Sequence, residues 1–407
     1  MKLPTSWQMK RLEKLVQFSS GGTPSKAKPE FWQGNIPWIS AATMHQQEIL
    51  TSELHISEDG LKAGSKLAKE NDLLLLVRGS MLWRKVPICI CKRDVAFNQD
   101  VKALRINGKI TPSYLLYWFL AHQRFLLNKV VGTGIGAGKF DLDELKALDI
   151  PLPPLPEQKA IADLLSTWDE AIEKTERLIQ AKEKRLDAYA RDLFDRKNDG
   201  KYEGWKVVKL KTVLNEHGDK STGAEEVFSV SVHKGLVNQI EHLGRSFSAA
   251  NTDNYNCVHY GDIVYTKSPT GDFPLGIVKQ SYAKKKVIVS PLYGVFTPRT
   301  FNLGIVLDFY FSSPTRARNY LFPIVQKGAK NTIAITNKTF LSKALHLPVD
   351  EKAQKAVAVF VYAARGEIDL LKQLADKYKT QKRGLMQKML TGEWRVKPEI
   401  VNQYMEA

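Results

Sequence analysis

The sequence predicts an α+β protein made of two mixed α/β lobes in a pseudo-twofold repeat, separated by two long helices that form an antiparallel coiled coil. Three observations carry this prediction. The chain repeats itself at an offset near 200 residues, each copy closes on a long stretch with coiled-coil spacing, and the positive charge falls in two separate segments.

The repeat sets the architecture. Trp7 to Val16 recurs as Trp205 to Leu214. Asn71-Asp72, an apolar run from Leu73 to Val77 and then Arg78 recur as Gly261-Asp262, Ile263 to Thr266 and Lys267. Lys146-Ala147-Leu148 before Ile150-Pro151 returns as Lys343-Ala344-Leu345 before Leu347-Pro348, and Gln158 to Ala162 returns as Gln354 to Ala358. These landmarks keep their order. They divide the chain into a first lobe (1–150), a first long helix (151–200), a second lobe (201–347), a second long helix (348–395) and a C-terminal tail (396–407). Runs such as Leu73 to Val77, Ile263 to Thr266 and Val287 to Val289 predict strands, and Ser113 to Lys129 and Asp308 to Phe322 predict short helices.

The long helices carry the clearest pattern. Ile161, Leu165, Trp168, Ile172, Thr175, Ile179, Lys182, Leu186, Tyr189 and Leu193 alternate at steps of four and three, the seam of a coiled coil. The second copy keeps it position for position at Val357, Val361, Ala364, Ile368, Leu371, Ala375, Tyr378, Lys382, Leu385 and Met389. Pro156 before Glu157 is a helix start, and Gly200 and Gly392 mark the ends. Some 40 residues at ~1.5 Å each make a rod of roughly 60 Å. A lone helix of this kind leaves its stripe in water, and the other copy supplies the matching one. The alternative is that each helix packs on its own lobe.

Composition narrows the class. With 43% hydrophobic and 25% charged residues the chain is that of a folded soluble protein, and no window approaches the ~18 apolar residues of a membrane span. Met1 to Lys14 lacks the apolar stretch of a secretory signal, so a cytoplasmic location is expected. Cys89, Cys91 and Cys257 are too few and too odd for a disulfide framework, and a structural zinc site is not expected. The net charge of +17 divides into +7 for residues 1–150, −2 for 151–204, +9 for 205–347 and +3 for 348–407. Two basic segments suggest two surfaces facing a polyanion, although a basic soluble protein without an anionic partner has the same composition.

No catalytic constellation appears. Gly132 to Lys139 resembles a phosphate loop, but Thr133 stands where the first Walker glycine belongs and Phe140 where Ser or Thr belongs. A cationic loop touching DNA phosphate and a plain turn both remain open for it. The eight histidines form no close ligand pair in sequence, and Cys89-Ile90-Cys91 lies in an apolar run. Glu157-Gln158-Lys159 and Asp350-Glu351-Lys352 have a nuclease-like spacing, but both open the long helices, where acids suit the dipole. There is no Asn-Pro-Pro-aromatic run of a DNA aminomethyltransferase. The expectation is no catalytic residue and no metal.

Phe140 to Ile161 contains Ile150-Pro-Leu-Pro-Pro-Leu-Pro-Glu-Gln158, and with Ser19 to Ser25, Pro37-Trp38-Ile39 and Leu390 to Val396 it resembles the specificity subunits of Type I restriction-modification systems. The second join, Leu345 to Pro348 with Gln354 to Val357, lacks the paired prolines. The resemblance implies a non-catalytic subunit with two target-recognition domains that reads a bipartite site in double-stranded DNA. It also implies two modification (methyltransferase) subunits as partners, restriction subunits through the assembled complex, and no cofactor on this chain. S-adenosylmethionine, ATP and magnesium then belong to the partners. Cationic and hydroxyl side chains in loops and at strand ends are the candidates for DNA contact: Thr23, Ser25, Lys26, Arg78, Arg84, Lys85 and Lys139 in the first lobe, and Lys267, Ser268, Thr270, Lys284, Lys285 and Lys286 in the second. For each, a solvated surface residue is the other reading. Two further functions fit the same sequence: a two-lobed DNA-binding scaffold or regulator without a methylation partner, and an enzyme with an unfamiliar site.

Overall fold

The computed structural model describes residues 3–134, 136–195, 202–243, 251–327 and 333–405. The chain divides into two compact units, Met1–Thr175 with Leu374–Ala407, and Glu176–Gln373. Each unit takes one lobe and one part of each long helix.

In the first unit, the four leucines of Leu73–Leu76 are fully buried, which is why that stretch reads as a continuous apolar run rather than an alternating one. They form the middle strand of a five-stranded sheet in the order Val16–Ser20, Val101–Ile106, Leu73–Leu76, Ile88–Cys91 and Glu48–Ile49. Its pairs are antiparallel except for Glu48–Ile49, which runs parallel to Ile88–Cys91. A four-stranded sheet of His55–Ile56, Ile36–Ile39, Val95–Phe97 and Lys66–Ala68 lies beside it in the fold, and a three-stranded one joins Val130–Gly132, Gly138–Phe140 and Arg78–Gly79. Gln8–Arg11 pairs with Asp149–Leu152 and so returns the chain to the start of the first long helix.

The second unit repeats the plan with fewer strands. Leu214–Glu216, Gly294–Pro298, Ile263–Thr266 and Ile277–Gln280 form its central sheet, and Trp205–Lys209 pairs with Ala344–Pro348 as Gln8–Arg11 does with Asp149–Leu152. The strands expected at Ile263 to Thr266 and Val287 to Val289 are present as read. The helix expected at Asp308 to Phe322 is two helices, Phe301–Phe311 and Pro314–Leu321, and begins seven residues earlier. Phe301–Phe311 is buried nearly all round, so it carries no amphipathic period, and its start is marked only by Thr300, whose hydroxyl accepts from Leu303 N at 3.0 Å. The first-lobe counterpart is likewise split, into Pro112–Ala121 and Gln123–Leu127, with Thr111 as its cap.

The long helices span Leu155–Phe194 and Glu351–Leu390, 40 residues each. Gly392 at φ +76° closes the second in the left-handed conformation glycine adopts at no steric cost. Gly200 lies outside the described residues, and the first helix ends at Phe194. Within each unit the helix segments pair in opposite directions. In the first unit Asp169 binds Lys382, Trp168 meets Tyr378 edge-on at 5.7 Å, and Tyr404 reaches Asp163 at 2.8 Å. In the second, Lys372 binds Glu183 at 2.6 Å, Lys182 binds Glu367 at 2.6 Å, and Tyr189 packs on Phe360 at 4.3 Å. The pairing is the antiparallel one. Every seam residue from Ile161 to Leu193 and from Val357 to Met389 is buried or half-buried. Fully buried members such as Leu165 and Val361 contribute about 1.5–3 kcal/mol each. The cations in the seam also have partners: Lys382, only 8% exposed, sits between Asp169 and the Tyr117 ring. No helix among the described residues is long and apolar enough to cross a membrane.

Candidate nucleic-acid interface

Two of the first-lobe candidates, Arg78 and Lys139, meet on the three-stranded sheet. Arg78 and Lys139 stand directly opposite each other across antiparallel strands, both exposed. Two like charges at paired positions repel, so this edge suits an anion that neutralises both. Thr133 N–H donates to Ala137 O at 2.8 Å and closes the hairpin loop, where Gly136 sits at φ +80°. The half-exposed indole of Trp83 donates to Gly136 O at 3.0 Å, which ties the loop to the short helix Ser80–Trp83. Exposed Arg84 and Lys85 follow that helix at once. The Thr23 hydroxyl donates to Gln99 Oε1 at 2.7 Å, and the next carbonyl, Asp100 O, accepts from Val77 N at 2.9 Å immediately before Arg78. Ser25 and Lys26 are exposed in the same loop, with Ser25 O taking the Trp32 indole at 3.2 Å. Sequence reasoning missed Lys102, whose ammonium donates to Ser20 Oγ at 2.6 Å. Burial pulls its pKa below the ordinary lysine range.

The second-lobe candidates divide into two places. Lys267, Ser268 and Thr270 share the exposed loop that leaves Ile263–Thr266, with Ser268 N donating to Thr266 Oγ1 at 3.2 Å and Thr270 N to Phe273 O at 3.1 Å. Strand register corrects the sequence alignment by one residue here. Leu73 and Ile263 both stand opposite the equivalent core residues Leu104 and Phe296, so Ser268 takes the place of Arg78 and Lys267 that of Val77. Lys284 to Lys286 lie before strand Val287–Val289. Lys285 is paired with Glu226, and Lys286 with Glu225 at 3.6 Å, which removes much of the field that the triplet suggests. A groove of about 1030 Å³ in this unit is lined by Lys234, Lys279 and Arg365 but also by Asp187, Asp308 and Asp369, a mixed lining rather than an anion site.

The acids that open the helices have structural work. Glu157, 2% exposed, accepts the Trp7 indole N–H at 3.0 Å and is gripped by Arg395 through Nε and, at 2.7 Å, Nη2. Three segments far apart in sequence therefore meet at one carboxylate. Gln158 is fully buried; its Oε1 accepts from Thr111 N at 2.8 Å and its Nε2 donates to Pro153 O at 2.8 Å. Gln354 repeats this in the second unit, accepting from the Thr300 hydroxyl and donating to Pro348 O at 3.0 Å. Asp350 caps the second helix through Ala353 N at 3.0 Å. Each glutamine ties its long helix to the capping threonine of its own lobe.

Residues 4–183 match the family model described as the Type I restriction modification DNA specificity domain. The chain is similar to Type I specificity subunits. It is 32% identical over 192 residues to the Type I restriction enzyme EcoR124I/EcoR124II specificity subunit of Escherichia coli, covering 46% of this chain and 47% of that one. It thus spans about half the length of that relative. The MjaVIII specificity subunit of Methanocaldococcus jannaschii is 25% identical over 425 residues, covering 98% of this chain and 95% of the relative. The fold is also that of the crystallised S subunit from M. genitalium, with a TM-score of 0.60 at 15% identity over 96% of this chain and 98% of that one. The domain match stops at 183, in keeping with the second specificity-type join, which lacks the paired prolines.

The structure also brings together residues that sequence spacing kept apart. His217, Asp219 and His259 place their ligand atoms within 4.8 Å of one another, although 41 residues separate the two histidines. Their only sequence signal is the His-x-Asp spacing at 217 and 219.

Proposed function

We propose that the chain is the DNA-recognition subunit of a Type I restriction-modification complex. Its two lobes read the two halves of a bipartite site, and it docks modification subunits and, through them, restriction subunits. The observation that supports this best is the repeat itself: two lobes on one strand plan, each tied by a buried glutamine to a long helix, each with exposed cations at a strand end. Lysines and arginines at those edges position the lobes on phosphate, and a few side chains beside them read base edges in the major groove. The chain itself carries out no chemistry in this reading. S-adenosylmethionine, ATP and magnesium belong to the partner subunits, and the assembly works in the cytoplasm.

The test is reconstitution. Purified chain with S-adenosylmethionine and DNA should give no methylation, whereas chain plus modification subunits should methylate adenines in a two-part sequence with a fixed gap. Methylation by the chain alone, or failure to bind a modification subunit, would refute the assignment.

A further inference from the structure

The two lobes share a scaffold but neutralise one buried carboxylate differently. Leu104 pairs with Leu73 as Phe296 pairs with Ile263, so Asp72 corresponds to Asp262 and Arg105 to Thr297. Phe18 stands opposite Leu104 as Glu216 stands opposite Phe296, so the next residues, Ser19 and His217, correspond as well. Asp72 and Asp262 are 4% and 1% exposed, and each accepts the backbone N–H three residues before it, Lys69 N at 2.9 Å and His259 N at 2.7 Å. In the first lobe Arg105 supplies the countercharge, with Nη2 at 2.9 Å and Nε at 3.2 Å from the carboxylate. The second lobe has Thr297 there, whose hydroxyl donates to Asp262 Oδ1 at 2.8 Å but brings no charge.

His217 fills the gap in an informative way. Its Nε2 lies 3.0 Å from Asp262 Oδ2, so in the neutral imidazole, the form that binds a metal, Nε2 carries the proton and Nδ1 presents its lone pair. That Nδ1 is buried and has no hydrogen-bond partner. It lies 3.9 Å from Asp219 Oδ2, which in turn is 2.9 Å from His259 Nε2. A carboxylate behind a histidine whose far nitrogen is free is the usual support of a metal-bound imidazole. Ligands at ~2.0–2.1 Å from a tetrahedral ion stand roughly 3.3 Å apart, and the separations of 2.9 and 3.9 Å bracket that value.

We propose that His217, Asp219 and His259 bind one divalent transition-metal ion of the zinc type, with Asp262 orienting His217 from behind. The ion supplies the positive charge that Arg105 brings to the first lobe. It fastens the loop after Leu214–Glu216 to the turn before Ile263–Thr266, and its fourth position opens to solvent past the exposed Asp219 and His259. This departs from the expectation of no metal, and it holds whether or not the lobes read DNA.

The experiment uses the full, tag-free chain stripped with a chelator, with Zn²⁺ titrated by calorimetry and Co²⁺ as a spectroscopic probe. One equivalent of Zn²⁺ should bind, and Co²⁺ should give the visible absorption of a four-coordinate site. Asp262→Asn should weaken Zn²⁺ about 10–100-fold, the range seen when the support of a ligand is removed. His259→Ala and Asp219→Asn, both at exposed positions, should abolish the tight equivalent while the metal-free chain melts as before. Absence of saturable binding, or an equivalent of unchanged affinity in His259→Ala, would overturn the proposal.

Discussion

Arg395→Ala tests how the first unit is held shut. The substitution removes both guanidinium contacts to Glu157 and leaves that carboxylate, 3% exposed, with only the Trp7 indole. Breaking a fully buried ion pair by deleting one partner costs about 3–5 kcal/mol, because the remaining charge is stranded. The Arg395 side chain is 42% exposed, so water reaches the site and screens it, and the expected loss falls to about 2–3 kcal/mol. A unit of roughly 200 residues loses about 2–4 °C per kcal/mol, so calorimetry of the full chain should show its transition lowered by about 4–12 °C. Arg395→Lys keeps the charge without the two-pronged grip and should fall between. Adding Glu157→Gln to Arg395→Ala should recover part of the loss, since no charge is then left buried. A drop under about 1 °C for Arg395→Ala, or no recovery in the double variant, would refute the account.

Other outcomes follow from the same geometry. Lys139→Ala or Arg78→Ala should leave the free chain as stable or slightly more so, while reducing the slope of log affinity against log salt by about 0.9 for each lost phosphate contact; an unchanged slope would remove that edge from the interface. Burial pushes the Asp308 carboxyl up, but Arg365 and Lys279 outweigh it and hold the pKa below the usual range. That stability is present above the unfolded value of about 3.9 and is lost as pH falls through the lower folded value, so Asp308→Asn should flatten the acid limb of a melting curve against pH. A limb of unchanged steepness would count against the pair. Burial raises the Cys91 thiol to about 12 and pushes Cys89 up as well, so a thiol reagent at pH 8 should label both only on unfolding. Rapid native labelling would contradict their placement.

What could be read in advance was what periodicity and repetition encode. The seam from Ile161 to Leu193 and from Val357 to Met389 was legible because a buried stripe needs apolar residues at fixed steps whatever the lobes do. Phe301–Phe311 was misplaced because a helix buried on all sides has no polar face to set its period. Trp7, the Glu157 region and Arg395 each stood in a recognisable segment, but the carboxylate joins residues 150 and 238 positions apart, and no local pattern records such contacts. The charge of Lys284 to Lys286 was overestimated for the same reason: its partners Glu225 and Glu226 come from the segment just before strand Phe228–Ser231, some 60 residues earlier. His217 and His259 were hidden by the 41 residues of intervening chain.

The first unit takes its last piece from Leu374 onward, with Met386, Met389 and Leu390 in the same core as Ile161 and Leu165. During translation the whole of Glu176–Gln373 emerges in between, which at about 5–20 residues per second takes roughly 10–40 s. The half of the protein made first is therefore the half finished last, and until the ribosome reaches Arg395 its helix presents an uncovered greasy edge to the cell.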